Sequence, residues 1–116
     1  MIKLHEHIIK SLDPGIRDVV ILLNHYDFDT FESCEGGNGH SMAEPTIKFW
    51  GDEFDCIRAY ELCSQYNYRV RSVRRVFIKN PLYDKEEKLE IGQNWVKPYN
   101  EIVFKKNPSN NSILND

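Results

Sequence analysis

Two short stretches of the sequence decide the expected fold: HYDFDTFES at residues 25–33 and QYNYRVRSV at residues 65–73. They align without a gap, and three consecutive positions match: Tyr26 with Tyr66, Asp27 with Asn67, and Phe28 with Tyr68. Each stretch follows a segment with apolar residues at helical spacing and precedes a second apolar strand. We therefore predict one helix–strand–loop–strand unit that is used twice.

Both helices have recognisable start signals. The first is expected at about 14–26, with Asp13 as N-cap and Pro14 in its first turn. The second is expected within 51–66, with Asp52 as N-cap. Its apolar side is predicted to contain five residues: Cys56, Ala59, Tyr60, Cys63 and Tyr66.

Four segments rich in β-branched and aromatic residues predict strands: FDTFES (28–33), TIKFW (46–50), YRVRSVRRVFI (68–78) and NEIVFKK (100–106). The second strand of each unit comes just after a proline, in EPTIKFW and in KPYNEIVF. The third strand needs a bulge near Ser72 and Val73 to keep its apolar residues on the core side. The predicted fold class is α+β, with two αββ units forming a four-stranded, mostly antiparallel sheet and both helices on one face.

Size and composition set further limits. The chain has 116 residues, of which 41% are hydrophobic, enough for one core. We expect a single domain over 1–106 and a disordered, Asn/Ser-rich tail over 107–116. No apolar run approaches the roughly 20 residues that span a bilayer, and the N-terminus lacks the apolar stretch of a signal peptide. We therefore expect a cytoplasmic protein without a membrane partner.

Charge and cysteine usage exclude other classes. The formal net charge of −3 argues against binding of duplex nucleic acid, which needs a broad basic surface. Three cysteines, at 34, 56 and 63, show no C-x-x-C spacing, so neither a disulfide framework nor a zinc ribbon is indicated.

The loop SCEGGNGH at residues 33–40 admits three hypotheses. Cys34 and His40 could form a catalytic pair, with Glu35 or Glu44 orienting the imidazole. A cysteine at the end of a strand is more often a packed small hydrophobe than a nucleophile, so we expect no catalytic residue. A metal site could draw on one set of ligands: Cys34, Glu35, His40, His25, His5 and His7. Their spacing matches no zinc pattern, so we expect no metal and no cofactor.

The third hypothesis is a ligand cradle. Gly36, Gly37 and Gly39 leave backbone amides exposed that could form an anion-binding nest. Four arginines, at 69, 71, 74 and 75, lie within seven residues of the third strand, and Arg69 and Arg71 are expected on the face away from the helices. Aromatic residues near loop ends, among them Tyr99, could stack on a base. The predicted ligand-binding residues are Glu35, Gly36, Gly37, Asn38, Gly39, His40, Arg69, Arg71, Trp50 and Trp95.

The pattern S-C-E-G-G-x-G-H at residues 33–40, followed by E-P-T-I-x-F at residues 44–49, resembles a motif of small, mostly uncharacterised bacteriophage proteins. The resemblance extends roughly from residue 15 to residue 104. Its most recognisable positions are Cys34, Glu35, Gly36, Gly37, Gly39, His40, Glu44 and Pro45. Small phage proteins of this size are often counter-defence factors, including oligomeric sponges that sequester nucleotide-derived immune signals.

The resemblance and the candidate residues together lead to one functional expectation. The chain is expected to be a phage-type, homo-oligomeric binding protein, not an enzyme, that sequesters an anionic nucleotide-derived signalling molecule in the host cytoplasm. Two alternatives stay open. One is a Cys/His or metal-assisted hydrolase of a nucleotide-like ligand. The other is an inhibitor that binds a host protein through its exposed sheet face.

Overall fold

The computed structural model describes residues 10–78 and 98–115 of the chain. Its regular elements, in chain order, are α1 (Pro14–His25), β1 (Asp29–Cys34), β2 (Thr46–Trp50), α2 (Glu53–Gln65), β3 (Val70–Val76) and β4 (Tyr99–Phe104). The predicted α+β class is confirmed. Within the described ranges, no helix is long and apolar enough to cross a membrane.

The four strands form one sheet in the order β1-β2-β4-β3, and all neighbouring strands are antiparallel. Each predicted αββ unit therefore supplies one hairpin, and the hairpins join at the centre through β2 and β4. In that central pair Ile47 lies opposite Ile102. The two edge strands, β1 and β3, are the first strands of their units.

The two units repeat each other in backbone detail. The register shifts between Thr30 and Glu32 in β1, and between Val70 and Ser72 in β3, positions that are 40 residues apart. The predicted bulge of the third strand therefore exists, slightly earlier than expected. Each helix is also followed by a residue with positive φ, 66° at Asp27 and 70° at Asn67. The matched positions of the two stretches are thus structurally equivalent.

The core lies on one face of the sheet. Alternate residues of the central strands point to it, and they are Ile47, Phe49, Ile102 and Phe104. Both helices contribute to the same cluster, through Ile16, Val19, Val20, Leu23, Ala59 and Cys63. Of the apolar side predicted for the second helix, only Ala59 and Cys63 are buried, whereas Tyr60 and Tyr66 are exposed. Both helices pack against this face.

The other face, called here the open face, carries aromatic and charged residues. Phe31 stacks on Trp50 with ring centroids 4.2 Å apart, and Tyr99 meets both rings edge-on. Two ion pairs, Glu32 with Lys48 and Arg74 with Glu101, lie next to these rings and form one row of alternating charge across the four strands.

Residues 107–115, for which the sequence predicts disorder, contact the core and the start of β3 in the structure. Ile113 is 5% exposed and belongs to the core cluster. Its carbonyl accepts a hydrogen bond from the Arg69 amide at 2.7 Å, and the Asn115 amide donates to the Asn67 carbonyl at 2.8 Å. The composition of the tail suggested disorder, but a single buried isoleucine and these backbone bonds hold it against the start of β3.

Candidate functional site

The glycine-rich loop lies against the N-terminus of α1. Asp13 is the N-cap residue of α1, as predicted, but its side chain makes no capping hydrogen bond. Instead, the Glu35 carboxylate accepts the Gly15 amide at 2.7 Å, and the Glu35 amide donates to Asp13 Oδ2 at 3.1 Å. The position at which a helix N-terminus would receive an anionic ligand is therefore occupied by the chain's own carboxylate.

His40 completes a polar cluster at this point. Its Nδ1 lies 3.6 Å from Asp13 Oδ2, and its Nε2 lies 3.4 Å from Glu35 Oε1. Ligand-type atoms of Asp13, Cys34 and His40 all lie within 4.8 Å of one another. Cys34 is buried, whereas His40 is exposed. The cluster thus combines a thiol, an imidazole and carboxylates at the edge of the core.

The backbone amides of the loop are largely used within the protein. The Gly36 amide donates to Cys34 Sγ at 3.4 Å, the Gly37 amide to the Ala43 carbonyl at 3.1 Å, and the His40 amide to the Gly37 carbonyl at 3.2 Å. These donors are not directed at a common point outside the loop. The Gly36 and Gly37 amides, which the predicted anion-binding nest would use, therefore already have acceptors within the protein.

Gly36 has a packing role. Its φ is +78°, and a Cβ built on it would lie 2.5 Å from the Glu44 carbonyl carbon. The loop folds back on the start of β2 so closely that no side chain fits. At the tip, Asn38 and Gly39 are exposed. The glycine content of the motif therefore reflects chain reversal at least as much as ligand approach.

Three of the four arginines on β3 are already engaged. Arg71 pairs with Glu44 at 2.8 Å, and Arg74 pairs with Glu101 at 2.8 Å. Arg75 lies on the helix side, where its Nη1 donates to the Gly51 carbonyl and to Asn100 Oδ1. Among the described residues, only the Arg69 side chain of these four has no acceptor.

Arg69 lines a polar cavity of about 320 Å³ at the junction of α2, β3 and the tail. The other residues around it are Tyr60, Ser64, Tyr68, Val70, Lys105 and Asn115. Lys105 also pairs with no carboxylate in the described part of the chain. Burial raises the pKa of Tyr68, as do the nearby Asp18 and Cys63, so its hydroxyl stays protonated. The cavity therefore offers two unpaired cations and several hydroxyl donors.

The predicted ligand-binding residues that the structure describes lie in several separate places. Glu35 and His40 meet at the helix N-terminus, and Gly36 is joined to the end of β4 by Lys106 Nζ, which donates to its carbonyl at 3.3 Å. Trp50 lies at the opposite end of β2, paired with Asp29. Trp95 lies outside the described residues. Of the predicted residues within 10–78 and 98–115, only Arg69 lines the polar cavity beside Lys105, called here the cationic cavity.

Two residues that the structure places in candidate sites, Asp13 and Lys105, are not among the site residues that the sequence predicts. The sequence predicts Asp13 as a helix cap, but in the structure its carboxylate faces His40 and accepts the amide of Glu35, which is 22 residues away in the chain. Lys105 belongs to the fourth predicted strand, NEIVFKK, and has no site role in the sequence-based predictions. Neither had a local signal, because each role depends on contact with a segment distant in sequence.

Comparisons of this chain with protein-family models, with curated proteins and with solved structures found no match.

Proposed function

We propose that this protein binds a small phosphate-bearing, nucleotide-like anion in the cavity lined by Arg69 and Lys105. The observation that carries the proposal is the charge of this cavity: two cations share about 320 Å³, and neither has a carboxylate partner among the described residues. Arg and Lys side chains bind phosphate through charge-assisted hydrogen bonds. Two neighbouring cations without carboxylate partners among the described residues, in a concave site, favour an anionic ligand.

The size of the cavity favours one nucleotide unit. Ligand pockets usually range from about 300 to 1,000 Å³, so this cavity lies at the small end. Tyr60 on α2 is 51% exposed and stands at the cavity wall, where its ring can stack on a base. Ser64 adds a hydroxyl donor. A ligand with two or three bases would extend beyond this cavity.

The internal repeat explains why the site belongs to the second unit. The equivalents of Arg69 and Lys105 in the first unit are Asp29 and Trp50, so the cationic pair is absent there. In addition, Asn24 is the equivalent of Ser64, and Thr30 is the equivalent of Val70. In the first unit Asn24 Nδ2 donates to Thr30 Oγ1 at 2.8 Å, so these two polar groups already bond to each other. The repeat thus provides an internal comparison in which only one copy carries the charges.

The proposal is tested by a ligand panel with matched arginine variants. Thermal stabilisation and calorimetry are measured with AMP, cyclic dinucleotides, cyclic trinucleotides, ADP-ribose and pyrophosphate, because a ligand bound only by the native state raises the melting temperature. Arg69→Ala and Lys105→Ala should each weaken binding about 10- to 100-fold, the value of one charge-assisted hydrogen bond. Arg71→Ala, which removes an arginine already paired with Glu44, is the control and should bind as wild type.

Two results would contradict the proposal. One is the absence of stabilisation by every compound on the panel. The other is a ligand whose affinity falls with Arg71→Ala but not with Arg69→Ala, which would return the site to the glycine loop.

Sequestration, as opposed to turnover, is the second part of the proposal. The cavity holds cations and hydroxyls, and the described residues that line it include no carboxylate or histidine that could act as a general base. The bound compound should therefore be recovered chemically intact after the protein is denatured. A cleaved product that accumulates with incubation time would favour the hydrolase alternative. In the setting that the resemblance to phage proteins implies, the ligand would be an immune signal in the host cytoplasm.

Self-association completes the proposal. The open face presents the stacked Phe31 and Trp50 beside a row of alternating charges, and Phe31 is 41% exposed; an exposed aromatic face of this kind can be covered by a second copy of the chain. Light scattering should return a mass above 13.7 kDa at micromolar concentration. Phe31→Glu should lower that mass to one chain, and a monomeric wild-type protein would contradict this part.

A further inference from the structure

We propose that Asp13, Cys34 and His40 form a binding site for one zinc ion. The site lies where the loop that follows β1 meets the N-terminus of α1, and it is separate from the cationic cavity. The inference departs from the sequence-based expectation of no metal, because that expectation considered ligand spacing along the chain and did not include Asp13.

The distances suit a tetrahedral ion after a small contraction. Ligand atoms of a tetrahedral zinc site with sulfur, nitrogen and oxygen donors lie about 3.3–3.6 Å from one another. His40 Nδ1 and Asp13 Oδ2 are 3.6 Å apart, too far for a hydrogen bond and close to the spacing of two ligands. All three donor atoms lie within 4.8 Å of one another, so a bound ion would draw them together by about 1 Å.

Each of the three ligands also has the outer partner that metal ligands require. Glu35 Oε1 lies 3.4 Å from His40 Nε2, which leaves Nδ1 directed at Asp13. The Gly36 amide donates to Cys34 Sγ at 3.4 Å, and the Glu35 amide donates to Asp13 at 3.1 Å. A carboxylate on the distal nitrogen of a histidine and amides on a sulfur or a carboxylate are the supports that orient ligands in metal sites.

A second contact of the Glu35 carboxylate holds it next to His40. Its second oxygen, Oε2, accepts the Gly15 amide at 2.7 Å, so the helix N-terminus holds the carboxylate against His40. A Cβ at Gly15 would lie 2.6 Å from that oxygen, so a side chain there would push the carboxylate away. The residue at position 15 therefore belongs to the support of the site.

The donor set selects the ion. One thiolate, one imidazole and one carboxylate suit zinc, whereas magnesium and calcium prefer oxygen ligands alone. Cys34 is 4% exposed, and its sulfur lies at the inner side of the cluster, whereas His40 is exposed. A buried thiol is poorly placed to attack a substrate but well placed to bind an ion from inside. The fourth coordination position would then face solvent and be taken by water.

Titration of the chelator-treated, untagged protein with cobalt(II) tests the site, because a cobalt–thiolate bond gives a charge-transfer absorption that carboxylate and imidazole do not. We expect one cobalt per chain, with this absorption, and its displacement by one equivalent of zinc. Cys34→Ser should abolish the absorption, and His40→Ala should weaken binding more than tenfold. Glu35→Gln, which changes only the outer partner, should weaken it about 10- to 100-fold.

The controls separate this site from other donors. Cys56→Ser removes a cysteine on α2 and should leave the absorption unchanged. The titration is repeated with His5 and His7 replaced by alanine, and the result should be the same. Circular dichroism establishes that each variant is folded, and the exposed His40 provides a second test if Cys34→Ser does not fold. Absence of stoichiometric cobalt in the wild type, or undiminished binding by both Cys34→Ser and His40→Ala, would overturn the proposal.

Discussion

Gly36 and Gly39 share a left-handed backbone but differ in the space around them. Their φ angles are +78° and +83°, yet a Cβ on Gly36 would overlap the Glu44–Pro45 backbone, whereas a Cβ on Gly39 meets nothing within 4 Å. Left-handed φ alone costs an alanine about 1–2 kcal/mol. Close overlap with fixed backbone adds about 1–3 kcal/mol.

We therefore predict that Gly36→Ala lowers the free energy of unfolding by about 2–5 kcal/mol, and Gly39→Ala by about 1–2 kcal/mol. Urea denaturation of both variants measures the difference. Equal costs would show that the loop relaxes away from Glu44 without penalty.

The hydroxyls of Tyr26 and Tyr66, two equivalent residues of the repeat, lie 2.7 Å apart and share a hydrogen bond. That hydrogen bond is the largest cause of a raised pKa for Tyr26, above its ordinary 10.0, and charge repulsion from Tyr66 is the second. Because the folded-state pKa is the higher one, the associated stability is present in full below pH 10.0 and is lost as the pH rises through the raised value.

Removing the partner should therefore lower this pKa. Tyr66→Phe is expected to shift the titration of Tyr26, followed by phenolate absorbance, back towards the ordinary range and to flatten the alkaline loss of stability. Tyr60→Phe, on the exposed side of α2, is the control and should not move the Tyr26 titration. An unchanged midpoint in Tyr66→Phe would mean that the two hydroxyls do not interact in solution.

At the scale of elements, the two helices begin in different ways. The N-terminus of α2 is closed locally, by a capping box in which Asp52 and Asp55 each accept the other's amide. The N-terminus of α1 is closed from a distance, by the Glu35 carboxylate on the Gly15 amide. Loss of a capping side chain typically costs about 1 kcal/mol.

Two substitutions should therefore act on separate amides. Glu35→Ala is expected to accelerate hydrogen exchange at the Gly15 amide and leave the Asp55 amide unchanged, whereas Asp52→Ala should do the reverse. Each should lower the free energy of unfolding by about 1 kcal/mol. Parallel acceleration of both amides in either variant would indicate general loosening and contradict the separate closure of the two helices.

At the scale of the whole molecule, the two units share one core. Phe28 meets Phe49 edge-on at 5.5 Å, and the equivalent Tyr68 meets Phe104 at 6.1 Å, while β2 and β4 pair across the centre. Both phenylalanines are fully buried in a single cluster. Neither unit can bury its apolar face without the other.

We therefore predict one cooperative unfolding transition and equal dependence on the two equivalent rings. Phe49→Ala and Phe104→Ala should each cost about 3–5 kcal/mol. Urea denaturation followed by far-ultraviolet circular dichroism and by tryptophan fluorescence should give coincident curves. Separate transitions, or a large cost for only one ring, would show that the units fold independently.

The sequence by itself determined the elements and their repetition. Helical spacing, the Asp52 cap and Pro14 located α1 and α2 to within two residues, and the alignment of the two nine-residue stretches predicted a repeated unit. In the structure the equivalent positions share register shifts and positive φ angles. These features depend on interactions within a few residues of chain, and such interactions are visible in a local pattern.

Only the tertiary structure decided which side chains meet. The order β1-β2-β4-β3 brings Arg71 to Glu44 and leaves Arg69 beside Lys105, although nothing in the arginine-rich strand distinguishes the two. Packing of the loop on α1 similarly places Glu35 on Gly15 and turns Asp13 towards His40. Charge and ligand chemistry depend on distances of a few ångströms between groups 20 or more residues apart. Those distances are set by strand order and by the packing of distant segments, neither of which a pattern over a few residues specifies.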